Sequence, residues 1–179
     1  DLANDLGNLF SRVLAMAHKY FKGIVPQTDL TIEKELDLGL TANAFNAISE
    51  FEAHMPQFAF HKGVGAIWEF ISHMNKYIDM TAPWVLAKNK SSQRQLQVVI
   101  YNLLEGLRII SGLIYPIMPG TAGTMQKHLG LDPQAPFYKL NLLKSWGTLP
   151  AETQLPKSIS LFPRVEMPAK AADAQTTVS

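Results

Sequence analysis

Asn8 and Arg12 stand four residues apart in a helical pattern, so their side chains share a face, and neither falls on that helix's apolar stripe. Gly7 beside them leaves the backbone open to close approach. Trp84 follows Pro83 at the start of a short helix, a rigid place for a large planar ring. An aromatic plate for a face and directional donors for an edge are what an unstacked RNA base requires. Stacking tolerates any base and supplies affinity, about 1–3 kcal/mol per base. Choice comes from the edge. Cytosine presents acceptors at N3 and O2 and a donor at N4, whereas uracil reverses the pattern at N3 and position 4. Arginine only donates and so prefers cytosine; asparagine donates and accepts. Lys88, Lys90 and Arg94, on and just after the polar stretch that follows Trp84, are candidate phosphate contacts.

Each of these residues also has a plainer role. An Asn-x-x-x-Arg pair is ordinarily a solvated helix face, and a tryptophan after proline is ordinarily a packing anchor. The competing reading is therefore an all-α interaction scaffold without RNA binding. Exposure of Trp84 and the neighbourhood of Arg12 decide between them: a buried ring remote from the arginine would end the RNA reading.

Other chemistries find little support. The 179 residues include no cysteine, which excludes disulfides and thiolate metal sites. Five histidines are scattered singly, and Glu50/His54 and Glu69/His73 stand at i,i+4 as ordinary helix-surface pairs. The spacing departs from the Glu-x-x-His of di-metal bundles, so no metal is expected. Lys62-Gly63-Val64-Gly65 lacks the strand and spacing of a phosphate loop, and there is no Gly-x-Ser-x-Gly elbow. No catalytic residue is assigned. The formal net charge is +1, but residues 29–52 hold six acids against Lys34 alone, leaving 15 basic and 9 acidic groups elsewhere. The richest apolar stretch, Leu96 to Met118, is interrupted by Asn102, Glu105 and Arg108, which argues against a membrane span.

The elements that position these residues are helices. Leu2, Leu6, Leu9, Phe10, Val13, Ala17, Tyr20 and Phe21 make one stripe from about Leu2 to Lys22, stopped by Gly23 and Pro26. Further helices are expected from about Asp29 to Met55, Phe60 to Asp79, Pro83 to near Lys88 with Thr81 as N-cap candidate, Ser92 to Ile117 and Thr121 to Leu129. Beyond Gly130, Trp146, Leu149, Ile159, Leu161 and Phe162 read as anchors pinning an extended segment onto the bundle. The expected fold is all-α, an antiparallel bundle over residues 1–166, with residues 167–179 a flexible tail.

Longer strings carry a resemblance. Residues Ala3 to Arg12, Lys19-Tyr20-Phe21 and Gly23-Ile24-Val25-Pro26 resemble the opening helix of the anticodon-binding domain of methionyl-tRNA synthetases. So do Ala66-Ile67-Trp68, Asn75-Lys76-Tyr77-Ile78-Asp79 and Ala82-Pro83-Trp84-Val85-Leu86-Ala87-Lys88. Pro116-Ile117-Met118-Pro119, Leu129-Gly130, Trp146-Gly147 and Leu161 to Glu166 follow in the family's order, so the resemblance covers about Asp1 to Glu166. His73-Met74 departs from it, standing where the family often has Arg-Ala-like residues. Leucine-, isoleucine- and valine-type synthetases share the bundle without the combination of Asn8, Arg12 and Ala82-Pro83-Trp84.

The resemblance implies a class I helical bundle that reads the CAU anticodon of methionine tRNA. Arg12 and Asn8 would hold the first anticodon base, and Trp84 would stack on it. The nucleotide motifs and zinc cysteines of the family's catalytic domain are absent here, so ATP and Mg²⁺ would serve that domain, elsewhere in the same polypeptide. The chain opens inside a periodic pattern at Asp1, as a piece of something longer would. The implied partners are methionine tRNA and that catalytic domain, without membrane or DNA, in the cytoplasm.

Overall fold

Periodicity of the first apolar stripe decides which face closes the bundle. The computed structural model describes residues 3–28, 34–132, 134–157 and 159–162. A π-helical turn, Ala3–Gly7, runs into α1, Asn8–Phe21, which buries Leu9, Phe10, Val13, Leu14 and Ala17. Lys22 (φ 56°) and Gly23 (φ 74°) turn left-handed and end it. A Cβ at position 23 would lie 2.5 Å from the His18 ring, so conformation and space both require glycine there.

The second helical pattern is broken in two, with a single helical turn at residues 34–36 ahead of the main helix. α2 spans Leu40–His54, and the expected start from Asp29 to Glu33 lies outside the described residues. Leu38 and Gly39 take positive φ, 47° and 80°, and break the helix. Asp37 caps the new start, accepting from the backbone N–H of Thr41 at 3.0 Å and of Gly39 at 3.2 Å. The Asp-Leu-Gly turn signal thus outweighs the leucine spacing. A short 3₁₀ turn, Met55–Gln57, connects to α3, Phe60–Thr81, and the two helices pack as a hairpin.

α4 is the single turn Pro83–Leu86. Asn89 then accepts from the N–H of Ser91 at 3.1 Å and opens a 3₁₀ turn, Lys90–Ser92, that leads into α5, Gln93–Ile114. Every residue of α5 from Val98 to Ile114 is buried. Its hydropathy reaches 1.3 over 18 residues, enough by length and composition to cross a membrane, contrary to the impression left by its polar interruptions. That window is 94% buried within the bundle, so its apolarity serves the core. α6, Pro119–His128, and α7, Leu140–Leu143, follow.

The segment after α7 straps this bundle. Val25 and Thr153 bond through Val25 N–H at 2.9 Å, Glu152 N–H donates to Val25 O at 2.9 Å, and Leu155 N–H to Gly23 O at 2.7 Å. Leu149, Leu155 and Leu161 are buried, and Trp146 and Phe162 pack partly buried on the core. Ile159, expected as an anchor, is 40% exposed, and Pro156, Lys157 and Ser160 around it are exposed too, so the strap is pinned by Leu155 and Leu161 instead. The expected boundary at 166/167 and the tail lie outside the described residues.

Candidate nucleic-acid interface

Pro83 decides where Trp84 stands. Proline disfavours helical conformation in the residue before it, and Ala82 takes φ 41°, so α3 stops and the chain restarts at a new angle. The N–H of Ala82 still bonds Ile78 O at 3.0 Å, while Val85 N–H already bonds Ala82 O at 2.8 Å, so one residue closes one helix and opens the next. Pro83 is buried, which anchors the turn; Trp84 and Val85 project, 43% and 55% exposed. Thr81 does not cap α4. It is the last residue of α3, and its hydroxyl donates back to Tyr77 O at 2.7 Å.

Arg12 meets α3 at the same end. Its Nη1 donates to Asn75 Oδ1 at 3.3 Å, and its Nη2 lies 3.7 Å from Asp79 Oδ1. Asn75 and Asp79 are four apart on α3, as Asn8 and Arg12 are on α1, so two helix faces meet through one guanidinium. Asn75 is itself held, its Nδ2 donating to Ile71 O at 3.2 Å. The Arg12 side chain stays 45% exposed, oriented at its inner side and open outward. Asn8 is exposed one turn earlier on α1. Asp79 and Trp84 are five residues apart, which bounds their Cα separation at roughly 18 Å. Arg12 is thus held near the C-terminal end of α3, and the partly exposed ring follows that same end along the chain.

A family profile described as the anticodon binding domain of methionyl tRNA ligase matches residues 25–175. The chain belongs to this family. It is 39% identical over 98% of its length to methionine–tRNA ligase of Caldanaerobacter subterraneus, and 38% identical over all of it to that of Enterococcus faecalis. The chain spans only 27% and 26% of those relatives. Among solved structures, apo methionyl-tRNA synthetase of Mycobacterium tuberculosis superposes over 94% of this chain and 33% of its own, with a TM-score of 0.82 and 33% identity.

An anticodon-binding domain thus carries Trp84 and the three candidate cations inside the matched range, whereas Asn8 and Arg12 precede it. Lys88, Lys90 and Arg94 are all exposed on the connection from α4 into α5. Gly7 behaves otherwise than expected. It is buried, and a Cβ there would stand 3.0 Å from Phe162 Cδ2, so the close approach it allows is to the strap. Glu50 and His54 pair at 3.1 Å as helix neighbours, and among the described residues no three His, Cys, Asp or Glu side chains gather to hold a metal ion.

Two groups of residues important to this architecture escape the sequence reading. Glu105 and Arg108 appear there only as interruptions of an apolar run. In the fold, Glu105 is fully buried and its carboxylate accepts from the N–H groups of Gly147 (2.8 Å), Thr148 (3.1 Å) and Leu149 (3.0 Å). Arg108 adds Nε and Nη2 bonds at 3.0 and 2.8 Å, and its Nη2 also reaches Ser145 O at 2.8 Å. Tyr101 fastens the same segment through Leu149 O at 2.8 Å. The available signal was an acid and a base three apart on an otherwise apolar helix, which can be buried only together. Asn75 and Asp79 belong to the string that carries the resemblance and are not among the expected site residues; their i,i+4 spacing, repeating that of Asn8 and Arg12, is the clue.

Proposed function

We propose that this domain reads the CAU anticodon of methionine tRNA for a methionine–tRNA ligase whose remaining length lies outside the chain. The observation that carries the reading is the arginine oriented by Asn75 and Asp79 near the C-terminal end of α3, with the exposed Trp84 on the α4 turn that follows. Trp84 offers a stacking face to the first anticodon base. Arg12 donates to the O2 and N3 acceptors of cytosine, and Asn8 supplies a further donor or acceptor at the base edge. Uracil places a donor where cytosine accepts at N3, so the same guanidinium discriminates against it. Lys88, Lys90 and Arg94 contact flanking phosphates, which gives salt-dependent affinity without base choice.

Joining methionine to the tRNA with ATP and Mg²⁺ is the work of the remaining polypeptide, in the cytoplasm. Titration of this chain with CAU and UAU anticodon hairpins tests the reading. Tighter binding of CAU is expected, with the preference lost in Arg12→Ala; equal affinity of the unmutated chain for both hairpins would overturn it.

A further inference from the structure

Lys76 follows Asn75 and precedes Asp79 by three, so it borders the helix face that holds Arg12. On its other side an open cleft of about 350 Å³ runs along α3, lined by Gly65, Trp68, Glu69, Ser72, His73 and Lys76. Residues 68, 72 and 76 are each four apart and form one row, about 12 Å long on the helix axis. Trp68 is half-buried, packed partly on the core and partly lining the cleft. Its carbonyl accepts from the Ser72 hydroxyl at 3.0 Å. His73 and Lys76 are exposed, and a Cβ at Gly65 would meet nothing within 4 Å, so that end of the cleft is open.

An indole, an ammonium and an imidazole along one open groove are the fittings of single-strand binding, where aromatic faces take bases and cations take the backbone. Glu69 balances the Lys76 charge, so the cleft does not act as a general anion trap and contact with the base must contribute. We propose that this cleft receives a second unpaired nucleotide of the RNA loop, its base against Trp68 and its phosphate at Lys76 and His73. The proposal rests on the anticodon-reading function and extends that face along α3, because Lys76 is shared between cleft and face.

Fluorescence anisotropy with a labelled CAU hairpin, using the whole chain, tests it. Trp68→Leu keeps an apolar side chain on the core and is expected to weaken binding roughly five- to a hundredfold. Lys76 is exposed, so Lys76→Gln leaves the core untouched; it should weaken binding severalfold and lower the salt slope by about one. Neither should change the CAU-over-UAU preference. In a series of hairpins with one abasic loop position each, one member should lose its sensitivity to Trp68→Leu. Wild-type affinity in both variants, with Trp84→Ala still weakened, overturns the second nucleotide site and leaves the anticodon reading standing. Failure of the unmutated chain to distinguish CAU from UAU removes the reading itself, and the proposal with it.

Discussion

Arg108 with Glu105 and Arg12 with Asp79 each pair a guanidinium with a carboxylate, at opposite depths. On α5 the side chains are 9% and 0% exposed, the contact is 2.8 Å, and the carboxylate is saturated by three backbone N–H groups besides the guanidinium. At the α1–α3 junction they are 45% and 69% exposed and 3.7 Å apart, with Asn75 as the closer partner. Burial with full hydrogen bonding makes an ion pair a structural joint, because breaking it strands a charge out of water. Exposure with incomplete bonding leaves an arginine oriented but available, which is the condition for binding something else. Depth and saturation, more than residue type, separate the clamp from the reader.

The largest expected effect tests the buried half of that contrast. Glu105→Gln removes the charge facing Arg108 and turns an acceptor toward the Gly147–Leu149 amides into a donor. The expected destabilisation is about 3–5 kcal/mol, read as a lower midpoint in urea unfolding. Asp79→Asn, at an exposed pair, should change stability by less than about 1 kcal/mol. Equal midpoints for the two variants would abolish the distinction between clamp and reader.

Next in size is the effect of losing the stacking face. Trp84→Ala should weaken anticodon-hairpin binding by about 1–3 kcal/mol, roughly five- to 150-fold. Its stability should fall by less than its affinity, since Pro83 beneath it supplies the buried anchor of α4. A variant that melts early yet binds RNA normally would return Trp84 to the role of packing residue.

How far the sequence foretold this arrangement depends on the range of the determinant. Apolar repeats in α1, α3 and α5 announce themselves, because three- and four-residue spacing is read along one helix. Pro83 likewise marks the α3–α4 break, although the capping role given to Thr81 fails because its hydroxyl bonds its own helix. Trp84 and Arg12 were legible as chemical types. Their orientation was not, since Asn75 lies 63 residues from Arg12 in the chain. The same holds for Glu105, whose partners at 147–149 are more than forty residues away. Gly7 is the mirror case: its type signals a need for space, but the occupant, Phe162, lies more than 150 residues away in the chain.

The smallest effect probes the orientation of Arg12 alone. Asn75→Ala deletes the acceptor 3.3 Å from Nη1 while leaving the charge of Arg12 and the carboxylate of Asp79 in place. A partly exposed hydrogen bond of that length contributes at most about 0.5–1.5 kcal/mol, so the CAU-over-UAU preference should fall by no more than roughly tenfold. Stability should barely move, because alanine is the better helix former and offsets the lost bond to Ile71 O. The decisive measurement is a double-mutant cycle. If Asn75 works by aiming the guanidinium, Asn75→Ala should have no effect on base preference once Arg12 is already alanine. An undiminished effect in that background would mean that Asn75 touches the RNA directly, and the reading face would then include the α3 side of the junction as a partner in its own right.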